Sequence, residues 1–202
     1  MITDKDTIKC EAVFNDDKTH RFLWRQVWDS KKPLACVIMI NPCLADTKML
    51  DTTTFLTLNN ICRLGDYGGV TIVNLFSLLT PKLHFNSTAK LNDEANDSYI
   101  KKATEEASVV ILAWGKSVDT NIRLHNRSRE VIDLLSDQKE KFRIISDGER
   151  IAMHPLTPSV RNRWFIVSAA EWLEASKKSD DKSTLAPSKV KNSSQKSKAI
   201  DL

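Results

Sequence analysis

The chain has 202 residues, of which 41% are hydrophobic and 28% charged, and its formal net charge is +4. This composition is typical of a soluble globular protein that is long enough to bury a core. Its apolar runs are shorter than the roughly 20 residues of a membrane-spanning helix, so we expect no membrane partner. The first ten residues are charged and contain no apolar run typical of a secretory leader, which predicts a cytoplasmic protein. The four cysteines have no CxxC spacing and are expected to be reduced thiols.

The positive charge lies towards the carboxyl-terminal end of the chain. Residues 1–175 contain equal numbers of basic and acidic side chains, whereas residues 176–202 contain seven Lys, three Asp and no aromatic residue. A segment of that composition cannot build a core. The sequence therefore predicts one folded domain over 1–175 and a disordered basic tail over 176–202. The tail is either a solvated terminus or an arm that binds DNA without sequence preference.

The hydrophobic pattern predicts strands and helices in alternation. Two strands, at 9–14 and 20–28, precede the apolar run 34–40, which is typical of a strand buried on both faces. Asp51 is expected to cap the next helix and Gly65 to end it. The later predicted elements are a strand at 69–79, a helix at 92–107, a strand at 109–114, a helix at 117–135, a strand at 142–145 and a helix near 164–175. This order predicts an α/β fold with a central, mainly parallel sheet flanked by helices.

Polar side chains that could carry out chemistry follow these strands. Asn41 follows the first buried strand, Asn74 lies within the second, and His154 comes after the last strand of the series. Ligands of parallel α/β sheets bind beyond the carboxyl ends of the strands, so these side chains should meet in one crevice.

Several familiar site motifs are missing from the sequence. The Gly115–Ser117 segment lacks the upstream glycine of a phosphate-binding loop, and no GxGxxG or GxSxG occurs. The histidines and cysteines have no metal-ligand spacing, so the sequence predicts neither a metal nor a cofactor. A nucleophile pair formed by Cys43 and His154 is an alternative that the sequence leaves open.

Four segments occur in an order that resembles the uracil-DNA glycosylase superfamily. They are MINPCLAD at 39–46, GVTIVNLFSLLT at 69–80, VVILAWGKS at 109–117 and MHPLTPS at 153–159. They are similar to that superfamily's catalytic strand end in its Asn-Pro form, its base-recognising Asn strand, its Trp-Gly strand and its His-Pro loop. The resemblance is closest to a branch of unknown function, domain of unknown function 1643, and covers about residues 21–172.

The resemblance implies a three-layer sandwich that cleaves the N-glycosidic bond of a base flipped out of DNA. Asn41 would hold the attacking water, His154 would donate to the departing base, and Asp46 or Asp51 would act as general base. The implied protein is a monomer with DNA as partner and with no metal or cofactor. Its implied substrate-binding residues are Asn74, which would recognise the base, with Phe55, Pro42, Leu156, Arg161 and Arg163.

The segments also depart from those of the uracil enzymes. Cys43-Leu44-Ala45 follows the Asn-Pro pair, and Leu-Thr-Pro follows His154-Pro155. These departures favour a larger or modified base over uracil, with a role in repair or in defence against phage DNA. Two other functions stay open: a non-catalytic nucleic-acid-binding module on the same fold, and an enzyme of free nucleotides. Because residues 1–175 have no net charge, they slightly favour an enzyme of free nucleotides over a protein that binds duplex DNA tightly.

Overall fold

The described part of the chain has an α/β fold of seven strands and five α-helices. A computed structural model describes residues 1–3, 5–43, 45–85 and 89–183, with residues 177–183 as backbone alone. The strands are β1 (Lys9–Phe14), β2 (Arg21–Val27), β3 (Leu34–Met39), β4 (Gly69–Asn74), β5 (Val109–Leu112), β6 (Phe142–Ser146) and β7 (Phe165–Ser168). The α-helices are α1 (Thr52–Leu64), α2 (Asn96–Glu106), α3 (Ser117–Thr120), α4 (Ile122–Leu134) and α5 (Ala170–Ser183).

The chain divides into two compact units, Met1–Ala170 and Glu171–Leu202. The first unit contains the whole sheet and α1 to α4. In the second, α5 extends to Ser183, so residues 176–183 of the predicted tail are helical. The remainder of that predicted tail, 184–202, lies outside the described residues. Within the described ranges, every helix is too short or too polar to cross a lipid bilayer.

The strands form one mixed sheet in the order β1-β2-β4-β3-β5-β6-β7. The inner strands β4, β3, β5 and β6 are parallel to one another. The pairs β1–β2, β2–β4 and β6–β7 are antiparallel. The α/β class is confirmed, but the prediction of a mainly parallel sheet is wrong. Apolar runs predict that a strand is buried, and they do not specify the direction in which an outer strand joins the sheet.

Helix α1 begins and ends where the sequence predicts. The Asp51 carboxylate accepts the Thr54 backbone N–H at 2.8 Å, which satisfies one of the free donors of the first turn. Gly65 ends the helix with a φ of 77°, in the left-handed region that glycine adopts without a steric penalty. Asp51 and Gly65 thus set the two ends of α1, and its first turn shares a pocket with the end of β3.

The predicted helix near 164–175 is in part a strand. Residues 165–168 form β7, which pairs with β6, and the helix begins only at Ala170. The segment Phe165–Val167 contains aromatic and β-branched side chains, which favour a strand over a helix. The predicted strand 69–79 ends early, at Asn74, and the predicted helix 117–135 is divided at Asn121 into α3 and α4.

Helices α1 and α2 pack on opposite faces of the sheet. Trp24, Val37 and Ile72 belong to one buried cluster together with Ile61 of α1. On the other face, the Arg25 guanidinium donates to Thr71 Oγ1 at 2.9 Å and forms an ion pair with Glu106 of α2. Since Thr71 and Ile72 are neighbours in one strand, they point to opposite faces.

Candidate active site

A pocket of about 360 Å³ lies where β3 and β4 end and α1 begins. Its size falls within the range of roughly 300–1,000 Å³ that is usual for small-molecule sites. Five of the predicted site residues line it: Asn41, Asp51, Asn74, His154 and Leu156. Cys43, which belongs to the alternative nucleophile pair, also lines it, and the remaining lining residues are Arg21, Met39, Ile40, Thr52, Thr53, Thr54 and Pro81. The structure thus brings together the three strand-end residues that were expected to meet.

Asn41 is held in one orientation by the backbone around it. Its Nδ2 donates to the Thr80 carbonyl oxygen at 2.7 Å and to the Pro42 carbonyl oxygen at 3.2 Å. Within the described residues its Oδ1 has no hydrogen-bond partner. An amide whose nitrogen is fixed in this way presents its oxygen as an acceptor, which suits the holding of a water molecule.

Asn74 lines the pocket and has a buried, unpaired donor. Only 2% of the residue is exposed, and its Nδ2 has no hydrogen-bond partner among the described residues. Its backbone is firmly anchored, because Asn96 Nδ2 donates to the Asn74 carbonyl at 3.0 Å and Arg127 Nε to the Leu75 carbonyl at 2.8 Å. Leaving a buried donor unsatisfied costs about 1–3 kcal/mol, so such a group indicates a missing acceptor.

His154 is oriented through its Nδ1 atom. That nitrogen accepts the Leu156 backbone N–H at 3.1 Å, and burial lowers the pKa of the imidazole below its ordinary value. The neutral ring that results carries its proton on Nε2, and this atom is therefore a donor.

The loop that carries His154 lies tightly against the end of β5. Gly115 has a φ of 66°, and a Cβ atom at this position would lie 2.8 Å from the His154 Cβ. Two residues before His154, Ala152 also has a positive φ, of 57°. Such backbone strain is often found at functional sites.

Only one of the two candidate general bases lies in the pocket. Asp51 lines it, whereas Asp46 is outside the lining set. One oxygen of Asp46 accepts the backbone N–H groups of Met49 at 2.8 Å and Lys48 at 2.7 Å. These hydrogen bonds lower the pKa of Asp46, which makes it a weaker base.

The other predicted substrate-binding residues are distributed around the pocket. Pro42 is buried and Phe55 is half exposed on α1, and neither lines the pocket. Arg161 Nε donates to the carbonyl oxygen of Leu156 at 2.8 Å, which places Arg161 beside a lining residue. Arg163 does not line the pocket, and its guanidinium lies 5.0 Å from the centre of the Phe165 ring.

Residues 21–156, about two thirds of the chain, match the family described as "Protein of unknown function (DUF1643)". The chain belongs to the DUF1643 family. The resemblance to that family is confirmed, and membership of the wider uracil-DNA glycosylase superfamily stays a prediction. No curated protein and no solved structure matches the chain. The matched range includes every pocket-lining residue, from Arg21 at its start to Leu156 at its end.

The most informative residue of this DUF1643 pocket that the sequence did not predict is Arg21. It is 2% exposed, and its Nη1 donates to the Ala45 carbonyl oxygen at 2.6 Å. Burial lowers the pKa of Arg21 to about 10, and the nearby Asp51 partly opposes that effect. The guanidinium therefore remains protonated at neutral pH.

Two structural features bring Arg21 to the pocket of the DUF1643 domain. Strand β2 is antiparallel to β4, so the first residues of β2 lie at the end of the sheet where β4 terminates. In addition, Phe14 pairs with Arg21 but Val13 pairs with Leu23, which leaves Phe22 as the extra residue of a β-bulge. The bulge reverses the side-chain alternation and turns Arg21 to the face of the sheet that holds the pocket. The sequence pattern points to residues that follow strands, and it shows neither the strand direction nor the bulge.

Cys43 also lines the DUF1643 pocket, together with His154. Among the described residues no hydrogen bond joins the two side chains. The structure therefore shows no direct contact that would support a Cys43–His154 nucleophile pair. All four cysteines are free thiols, as predicted. The described residues contain no group of three or more His, Cys, Asp and Glu side chains that could hold a metal ion.

Proposed function

We propose that this protein is a DNA glycosylase-like hydrolase that cleaves the N-glycosidic bond of a flipped base. The observation that supports this most directly is the buried, unpaired Nδ2 of Asn74 in the pocket wall. A nucleobase is a planar ligand rich in hydrogen-bond acceptors, and one of these would satisfy that donor. A pocket of about 360 Å³ has room for a single base.

The residues around Asn74 suit the steps of this hydrolysis. A water oxygen forms a bond to C1′ while the C1′–N bond breaks, and the bonding electron pair leaves on the base. Asn41 Oδ1 would hold the water, and Asp51 would accept its proton. The Nε2–H of His154 would donate to the oxygen of the departing base that gains negative charge.

The glycosylase-like three-layer sandwich is part of the same proposal. Helices α1 and α2 on opposite faces, with a pocket at the ends of β3 and β4, support it. DNA is the proposed partner of a monomer, with Leu156 and Arg161 beside the flipped base.

The proposal is tested with DNA oligonucleotides that each contain one altered base, in single- and double-stranded form. The full chain should produce alkali-labile abasic sites at one class of base. Asn41→Ala should slow the single-turnover rate by about 10²–10³-fold, in line with the loss of one positioned transition-state contact, and leave DNA affinity nearly unchanged. Asn59→Ala, a half-buried residue of α1 outside the pocket, is the matched control and should retain the rate.

Two results would contradict the proposal. The first is the absence of abasic sites with every base tested, and the second is a full rate for Asn41→Ala.

A second candidate is hydrolysis of free nucleosides or nucleotides, which the electroneutral composition of residues 1–175 favours. The same modified bases supplied as deoxynucleosides distinguish the two. Faster release from the deoxynucleoside than from the oligonucleotide supports the second candidate.

A further inference from the structure

The proposed hydrolysis leaves one charged group of the pocket without a role, the Arg21 guanidinium. Its Nη1 is bound to the Ala45 carbonyl, but its buried Nε has no hydrogen-bond partner among the described residues. Within the same residues, no carboxylate lies within 4.0 Å of the guanidinium. Asp51 influences its charge from a longer distance, with one oxygen bound to the Thr54 N–H. A buried cation without an ion-pair partner is costly, so Arg21 requires an explanation.

The unpaired edge of Arg21 has a defined chemical preference. The Nε–H and one Nη2–H are two parallel donors, which bind two neighbouring acceptors at the same time. Among nucleobase edges, O6 and N7 of a 6-oxopurine are two neighbouring acceptors, and bidentate arginine contacts to this pair are the commonest specific contacts in DNA recognition. Adenine pairs its N7 with an N6 donor, and uracil has an N–H between its two oxygens. Neither offers this edge two adjacent acceptors.

We propose that the pocket accommodates a 6-oxopurine, such as hypoxanthine, xanthine or guanine, with Arg21 bound to its O6 and N7. This inference rests on the proposed function in taking the occupant to be a base. Asn74 Nδ2 supplies a further donor in the same pocket. The assignment agrees with the sequence departures that favour a base larger than uracil.

The positive charge of Arg21 would then stabilise the departing base during bond cleavage. A purine that departs with the bonding electrons is an anion, and part of its negative charge lies on O6 and N7. A buried, fixed cation against those atoms stabilises the charge as it develops, without the reorganisation that water would need. The departing base anion then provides the counter-charge that the described residues do not place beside Arg21.

The test measures the binding of free bases to the full-length chain by isothermal titration calorimetry. The probes are hypoxanthine, 7-deazahypoxanthine, adenine and uracil, with inorganic phosphate as a separate oxyanion probe. Hypoxanthine should bind about tenfold or more tightly than adenine and uracil, since a bidentate base contact is worth about 1–3 kcal/mol. Its 7-deaza analogue, which lacks only the N7 acceptor, should lose most of that advantage.

Arg21→Lys keeps the positive charge and removes the paired donors, so it should abolish the preference for hypoxanthine over its 7-deaza analogue. Arg25→Gln is the matched control, because Arg25 lies on the same strand, faces the other side of the sheet and pairs with Glu106. This variant should keep the wild-type preference. The comparison of the two purines on wild-type protein carries the test even if Arg21→Lys fails to fold.

The inference is overturned if uracil or adenine binds as tightly as hypoxanthine, if the 7-deaza analogue binds equally well, or if Arg21→Lys keeps the preference. It is also overturned if phosphate binds more tightly than every base. Arg21-dependent purine binding without cleavage of any DNA would reject the proposed function and support this ligand class. Cleavage of uracil-containing DNA without a purine preference would support the proposed function and reject this ligand class.

Discussion

His154 illustrates at the residue scale how one side chain serves both the fold and the site. Its Nδ1 accepts the backbone N–H of Leu156, so the imidazole holds its own loop in place. Its Nε2–H is left for a ligand in the pocket. The contact with Leu156 requires the neutral ring, because protonation of Nδ1 would remove the acceptor, whereas Nε2–H can donate in either state.

The pH dependence of stability should reveal this neutral state. Burial lowers the pKa of His154 below its ordinary value near 6.5, so the unfolded chain binds the proton more readily than the folded one. The contribution to the free energy of unfolding is therefore complete above about pH 6.5 and declines as the pH falls below it. Urea unfolding at several pH values between 5 and 8 measures this. His154→Gln should have a smaller decline than wild type, whereas His84→Gln, an exposed histidine outside this pocket, should match wild type. An equal decline for His154→Gln would contradict the assignment.

Sequence reasoning could predict the pocket residues that lie at or after the ends of strands. Asn74 ends a buried strand, Asn41 and His154 follow buried strands, and the structure brings all three into one pocket. Arg21 could not be found in this way, because it begins an antiparallel strand and depends on a bulge. Asp46 and Asp51 could not be distinguished by sequence, since the choice depends on which carboxylate the loop after β3 turns towards the pocket.

At the element scale, the pocket depends on the close contact between the end of β5 and the loop that carries His154. Gly115 allows this contact, because it combines a positive φ with a distance of only 2.8 Å from its absent Cβ to the His154 Cβ. Gly65 at the end of α1 also has a positive φ, but nothing lies within 4 Å of its Cβ position. A side chain at Gly65 would therefore add only the strain of a positive φ, whereas a side chain at Gly115 would add that strain and a clash with His154.

Alanine at each glycine should give different results. Gly65→Ala should lower the free energy of unfolding by about 1–2 kcal/mol, the usual cost of a left-handed residue, and leave ligand binding intact. Gly115→Ala should cost more than that and weaken base binding, because it also displaces His154. Chemical denaturation and calorimetric titration measure the two effects. Equal losses of stability with unchanged binding would show that the contact with His154 is unimportant.

The sequence predicted strands β1 to β6 and missed β7. The predicted strand at 9–14 coincides with β1, and the predicted strand at 20–28 contains β2. The apolar runs at β3, β4, β5 and β6 identify strands that are buried on both faces. Strand β7 is mostly exposed, and its short run before α5 resembles the start of that helix. The direction of β2 depends on pairing with a strand that is distant in sequence, which no local pattern specifies.

At the scale of the whole molecule, charge is unevenly distributed along the chain. The segment 184–202 lies outside the described residues and contains four of the seven Lys residues predicted to form a DNA-binding arm. Deleting 184–202 should lower DNA affinity equally for all sequences. It should also reduce the slope of log affinity against log salt by up to about 0.9 for each phosphate that the segment neutralises. Fluorescence anisotropy over a salt series measures this, and an unchanged slope would reject the arm.

The central claim is that this pocket hydrolyses the N-glycosidic bond of a DNA base. The most direct measurement quantifies, in one reaction, the free base by mass spectrometry and the abasic sites by alkaline cleavage. Wild-type protein should release one base for each abasic site. Asp51→Asn should release base at least about a hundredfold more slowly while it retains the helix cap, since Asn caps as well as Asp and cannot accept the proton of water. Abasic sites without free base, or release of base by Asp51→Asn at the wild-type rate, would contradict the account.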